Sequence, residues 1–173
     1  MKKSKVVGEV NASAGAADGS AALPTAEVCK NARLSRDPRF DGRFVVAVFS
    51  TGIFCRPTCP ARRPAEHNVR YFVTAAAAAE AGYRPCKRCQ PEMALVTPEW
   101  VLRNPHLGRA LRFIDEGFLN DRSVAALASR LGISERHLER IFVQLLGVTP
   151  SVIARFKRVQ LARQLMATDL SLV

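Results

Sequence analysis

Four of the five cysteines fall into two close pairs, and this restricts the folding of the chain more tightly than anything else in it. Cys55 and Cys59 have three residues between them, Cys86 and Cys89 have two, and 26 residues separate the pairs. Each pair closes a short chelate, and the connection is long enough to let the pairs meet, as a tetrahedral all-cysteine zinc site requires. Pro57, Pro60, Pro85 and Pro91 lie beside the pairs and hold the loops extended, so fewer conformations are lost when a metal binds. The same spacing is compatible with two disulfides or with four unrelated thiols. Within the zinc reading it leaves open whether the site is structural, as a closed four-cysteine shell ordinarily is, or reactive. Cys29 lies outside the pattern and reads as a small buried residue.

The 173 residues suffice for one ordinary domain or two small ones, and a hydrophobic content of 48% permits a packed core. Lys and Arg outnumber Asp and Glu by 26 to 15, a net charge of +11. That balance points to a polyanionic partner, nucleic acid first, with a merely solvated basic surface, a ribosomal role or a membrane-surface role as alternatives. No uncharged apolar stretch reaches the roughly 18 residues needed to span a membrane. The basic opening Met1-Lys2-Lys3-Ser4-Lys5 is not followed by an apolar core, because residues 6–22 are small, polar and interrupted by glycine. A cytoplasmic location is therefore expected, where clustered cysteines read as metal or catalytic sites before disulfides.

Residues 1–26 are rich in Ala, Gly and Ser and read as a disordered tail. Residues 27–95 form a first unit with a thin core that a metal would staple. Phe44–Phe49 reads as a buried strand, Val69–Val73 as a second strand, and Thr74 as the cap of an alanine-rich helix ending at Gly82. From residue 104 onward the pattern is helical. Leu107, Leu111 and Ile114 share one face; Ser123 caps a second helix carrying Val124, Leu127, Ala128 and Leu131 and ending at Gly132. Ser134 caps a third, with Leu138, Ile141, Phe142 and Leu145 inward, ending at Gly147, and Thr149-Pro150 opens a long fourth running to about residue 167. The expected class is α+β: a small zinc-bound α/β domain over 27–95, then an all-α helix-turn-helix domain over 104–173.

The segments Ser50-Thr51-Gly52-Ile53-Phe54-Cys55-Arg56-Pro57-Thr58-Cys59-Pro60-Ala61-Arg62 and Gly82-Tyr83-Arg84-Pro85-Cys86-Lys87-Arg88-Cys89-Gln90-Pro91 resemble the Ada-type methylphosphotriester acceptor domain. So does the upstream segment Arg36-Asp37-Pro38-Arg39-Phe40-Asp41-Gly42-Arg43-Phe44; Ser50 stands where a second threonine is common in that family. The resemblance implies a zinc ion held by Cys55, Cys59, Cys86 and Cys89, with Cys55 as the catalytic thiolate that takes a methyl group from a DNA phosphotriester in a single turnover. Neither composition nor spacing selects Cys55 from the four. The chemistry is physically coherent. A zinc-bound thiol is deprotonated at neutral pH, so the nucleophile needs no general base. Four thiolates around one Zn²⁺ would repel an ordinary backbone phosphate but not a neutral methylated one. A unit charge at about 5 Å in an effective dielectric near 20 accounts for about 3 kcal/mol of that discrimination. Methylation removes one negative charge from the cluster, which would raise affinity for unmodified DNA. Arg56, Arg62, Arg63, Arg84, Lys87 and Arg88 crowd the cysteine loops, either as phosphate contacts or as partial neutralisation of the thiolates. His67 reads as a surface or packing residue.

The stretch Ser123-Val124-Ala125-Ala126-Leu127-Ala128, with Ile133-Ser134-Glu135-Arg136-His137-Leu138-Glu139-Arg140-Ile141-Phe142 and Gly147-Val148-Thr149-Pro150, resembles the AraC/XylS type of regulator. In such a pair the second helix enters the major groove, which offers Arg136, His137, Arg140 and Gln144 to base edges or phosphates. That family carries two helix-turn-helix units, and only the first is expected here. Related longer proteins add an alkylated-base glycosylase or a methylguanine acceptor, and no Pro-Cys-His-Arg acceptor motif occurs. The expected partners are double-stranded DNA, both at its methylated backbone and at operator sites, with RNA polymerase a candidate, no membrane, and a monomeric state. Two other functions fit the residues: a transcription factor with a purely structural zinc, and a thiol-based redox or metal sensor.

Overall fold

The apolar run at residues 44–49 forms the centre of a four-stranded sheet in the computed structural model, which describes residues 23–93 and 104–167. The tail read at residues 1–22 lies outside the described residues. Strand β1 (Val45–Val48) pairs antiparallel with β2 (Ile53–Cys55) on one side and with β3 (Val69–Phe72) on the other. A two-residue strand β4 (Arg84–Pro85) adds parallel to β2, giving the order β3-β1-β2-β4. Alternation on β1 explains why the run is apolar throughout. Val46, with Phe44, packs on helix α1 (Ala26–Ser35) against Cys29 and Ala32, while Val45 and Ala47 pack with Phe54 on helix α2 (Ala75–Glu80). Phe49, expected within the buried strand, is 68% exposed, because the chain has already turned after Val48.

Helix α1 was not expected from the sequence. Its N-cap Thr25 accepts from Val28 N, and its buried Arg33 reaches Tyr71 Oη, Pro64 O and the Glu66 carboxylate. A buried guanidinium is tolerable only when its donors are satisfied in this way. Strands β2 and β4 lie where the sequence suggested loops around the cysteines, since both are too short for periodicity to reveal them.

The helical part follows its caps closely. Helices α3 (Pro105–Asp115), α4 (Val124–Leu131), α5 (Glu135–Leu146) and α6 (Pro150–Ala167) begin and end within a residue or two of the expected signals. Ser123 accepts from Ala126 N and Ser134 from His137 N, while Gly132 and Gly147 close α4 and α5 at φ 74° and 75°. Leu107, Ile114, Leu127, Leu131, Leu138, Ile141 and Phe142 are buried. Leu145, expected inward, is only partly buried; Leu146 takes the fully buried place, in the cluster that also holds Ala76 and Ala77 of α2.

That contact joins the sheet to the helices. Ala76 and Ala77 of α2 lie in one buried cluster with the core of α3–α6. Thr74 Oγ1 caps α2 by accepting from Ala77 N at 3.1 Å, and donates at 2.9 Å to the carbonyl of Leu146 at the end of α5. Glu80 pairs with Arg155 of α6 across the same joint. Among the described residues no helix is long and apolar enough to cross a membrane.

Candidate metal centre

Strand pairing assembles the cysteines. Cys55 ends β2, and the parallel partner β4 runs straight into Cys86, whose N–H donates to Phe54 O at 2.9 Å. Arg84 N donates to Gly52 O at 2.8 Å in the same ladder. Gly52 turns β1 into β2 at φ 64°, a left-handed conformation that disfavours any side chain. Each pair then closes through one tight turn: Cys59 N donates to Arg56 O at 3.2 Å, and Gln90 N to Cys86 O at 2.9 Å. Gln90 itself sits at φ 44°, unusual for a residue other than glycine.

The four sulfurs all lie within 4.8 Å of one another, and all four residues are half-buried. A tetrahedron with Zn–S bonds of about 2.3 Å has sulfur–sulfur edges of about 3.8 Å, so the cluster fits that ion. None of the five cysteines forms a disulfide. The proton chemistry asks for a cation as well. The Cys55 thiol hydrogen-bonds to Cys89 and is also desolvated beside the other thiols, which pushes its pKa far up. The same hydrogen bond draws Cys89 down to about 5, and burial raises Cys59. Sulfurs this close cannot all be thiolates without a positive charge among them. Cys29 stands apart as expected: it is fully buried, donates to Pro24 O at 3.4 Å, and is pushed up to about 12 by burial.

The four thiolates are not equivalent. Arg56 N donates to Cys89 Sγ at 3.4 Å, and a backbone hydrogen bond from Ala61 reaches Cys59. Among the described residues no backbone N–H donates to Cys55 Sγ. A donor withdraws charge from the sulfur that accepts it, which sets Cys59 and Cys89 apart from Cys55 and Cys86.

The basic residues expected around the site divide into two groups. Arg62, Arg63, Arg84, Lys87 and Arg88 are exposed. Arg56 is partly buried: its Nη2 donates to Gln90 O at 3.2 Å and its Nη1 lies 3.8 Å from Asp41 Oδ2. Thr58 Oγ1 lies 2.9 Å from each carboxylate oxygen of Asp41. Sequence reasoning singled out neither Asp41 nor Gln90 nor Thr58 as working parts of the site, and only the Asp41-Gly42 turn gave any local signal. His67 is exposed and contacts the Asn68 amide at 3.2 Å. On α5, Arg136, Arg140 and Gln144 are exposed, while His137 is half-buried, with Nδ1 2.9 Å from the Arg140 guanidinium and its ring edge-on to His106.

Residues 28–92 match the family described as the metal binding domain of Ada, and residues 127–173 match a helix-turn-helix domain family. A probable bifunctional transcriptional activator/DNA repair enzyme AlkA of Mycobacterium tuberculosis is 46% identical over 142 residues, which are 82% of this chain and 29% of that protein. The bifunctional transcriptional activator/DNA repair enzyme Ada of Escherichia coli is 40% identical over 134 residues, 78% of this chain and 36% of that protein. The chain thus spans about a third of the length of these curated relatives. Among solved structures, the methylated N-Ada/DNA complex is 37% identical, covering 77% of this chain and 97% of its own, with a TM-score of 0.39, too loose an overlap to carry weight. The thiol cluster binds zinc, and the chain belongs over residues 28–92 to the family of Ada metal-binding domains and carries an AraC-type helix-turn-helix after it.

Proposed function

We propose that this protein repairs DNA methylphosphotriesters by moving the methyl group onto Cys55, once per molecule, and that it couples this repair to transcriptional control of the response to alkylation damage. The observation that carries the reading is a cluster of four half-buried thiols rimmed by exposed basic side chains, within a segment that matches the Ada metal-binding family; the family resemblance, and not the donor pattern, picks out Cys55. Cys55, Cys59, Cys86 and Cys89 hold the zinc, which when bound keeps their sulfurs deprotonated. Cys55 Sγ attacks the methyl carbon; a sulfur–carbon bond forms as the carbon–oxygen bond breaks. The electron pair leaves on oxygen as an ordinary phosphodiester anion, and no proton moves. The thioether stays on the protein, so the thiol is consumed.

Arg62, Arg63, Arg84, Lys87 and Arg88 contact backbone phosphates beside the lesion, while Arg136, His137, Arg140 and Gln144 of α5 face the major groove. The protein acts as a monomer on duplex DNA in the cytoplasm and engages RNA polymerase at its operators. Support for the regulatory half comes from the E. coli and M. tuberculosis relatives, described as a bifunctional and a probable bifunctional transcriptional activator/DNA repair enzyme.

The test is to incubate zinc-loaded protein with duplex DNA bearing methylphosphotriesters and to map added methyl by peptide mass spectrometry. Methyl on Cys55 is expected. An unmodified protein that retains its zinc would leave only a structural metal site beside a DNA-binding helix pair.

A further inference from the structure

We propose that Asp41 is a positioning residue for the acceptor loop, tying the turn between Cys55 and Cys59 to the second cysteine loop through Thr58 and Arg56; its effect on transfer rests on the repair reading of Cys55. The turn has three residues, and Asp41 engages two of them. Thr58 donates its hydroxyl to the carboxylate at 2.9 Å, and the Arg56 guanidinium lies 3.8 Å from the same carboxylate. Pro57 between them is buried and carries no N–H of its own. Asp41 is itself fixed, its N–H donating to Pro38 O at 3.1 Å across a 3₁₀ turn.

Arg56 carries the restraint onward. Its side chain donates to Gln90 O and its backbone N–H to Cys89 Sγ, so a single residue links the Asp41 anchor, the first cysteine turn and the second. Gln90 needs such a partner, since its left-handed backbone is held without the freedom of a glycine. The sign of the charge points the same way. Asp41 brings a carboxylate to Arg56, beside the cysteine turn, where a negative charge can only weaken attraction for phosphate. Its contribution is therefore to geometry and not to DNA affinity, and the two separate by experiment.

Zinc-loaded Asp41→Asn and Thr58→Val are compared with the parent on methylphosphotriester DNA. Asp41→Asn is expected to lower the single-turnover rate constant at saturating DNA about tenfold, inside the range that a small misplacement of reacting groups produces. The half-saturating DNA concentration should stay level or fall, because a negative charge has gone. Thr58→Val should slow transfer without altering half-saturation, and the double variant should be less impaired than the product of the two single effects. A Tm change with the saturated rate constant intact would overturn the proposal, as would a rise in half-saturation alone. Zinc release into a chromophoric chelator gives a readout independent of transfer: both variants should release faster. Unchanged release overturns the restraint even if the parent never methylates Cys55, whereas accelerated release without parental methylation upholds it and removes only the repair reading.

Discussion

Replacing Thr74 with valine removes one hydroxyl that does two jobs at the junction of sheet and helices. The oxygen accepts from Ala77 N at the start of α2 and donates to Leu146 O at the end of α5. Loss of an N-cap costs about 1 kcal/mol. A partly buried carbonyl left without its donor costs about 1–2 kcal/mol more. Valine conserves the volume, so no cavity term is added, and the expected total is about 2–3 kcal/mol. The measurement is urea unfolding of the zinc-saturated protein followed by circular dichroism, where the midpoint should fall at unchanged slope. Thr74→Ser keeps both hydrogen bonds and should stay within about 0.5 kcal/mol of the parent. If valine proved as stable as threonine, or serine as unstable as valine, the hydroxyl would not be what joins α2 to α5.

Other substitutions and conditions separate the remaining elements. Burial raises Cys29 from 9.0 to about 12, so the folded thiol stays neutral where the unfolded one ionises. Its contribution is complete below pH 9 and is lost from there to about pH 12, so the parent should lose up to about 1.4 kcal/mol per pH unit more than Cys29→Ala in alkaline unfolding curves; parallel curves would contradict this. Gly147→Ala should destabilise by about 1 kcal/mol from backbone strain, since its φ is 75° and the new methyl would sit at an ordinary 3.5 Å from Ala77 Cβ; no change in urea midpoint would show that the turn relaxes freely. Stripping zinc with a chelator should lower the melting temperature and expose Cys55, Cys59, Cys86 and Cys89 to thiol reagents, with Cys29 protected; equal labelling of all five would mean that the core opens too. Arg62→Ala should weaken binding to any duplex and reduce the salt slope by about 1, whereas Gln144→Ala should act on one operator sequence and leave the slope unchanged.

The helical half was almost wholly readable because its signals are local. Ser123, Gly132, Ser134 and Gly147 each act within one turn of their own position, and the apolar spacing between them has a single solution. The sheet was half readable: β1 and β3 announce themselves by β-branched residues, but the two short strands that bring Cys55 beside Cys86 depend on pairing across some 30 residues. Helix α1 escaped notice because it follows a low-complexity stretch and its buried Arg33 looks like a surface residue until Tyr71 and Glu66 arrive from elsewhere in the chain. That the four cysteines gather was legible from their spacing. Their support was not, since Asp41 meets Thr58 across 17 positions and Arg56 meets Gln90 across 34.

Helix α2 is built almost entirely of alanine, and alanine has no rotamers to surrender when it is packed. The seam it forms with α5 and α6 therefore has little slack in which to settle differently. The sulfur cluster and the exposed face of α5 are in consequence carried on one continuous core: if both touch the same duplex, the stretch of helix between a lesion and an operator is measured by the protein and not chosen by the DNA.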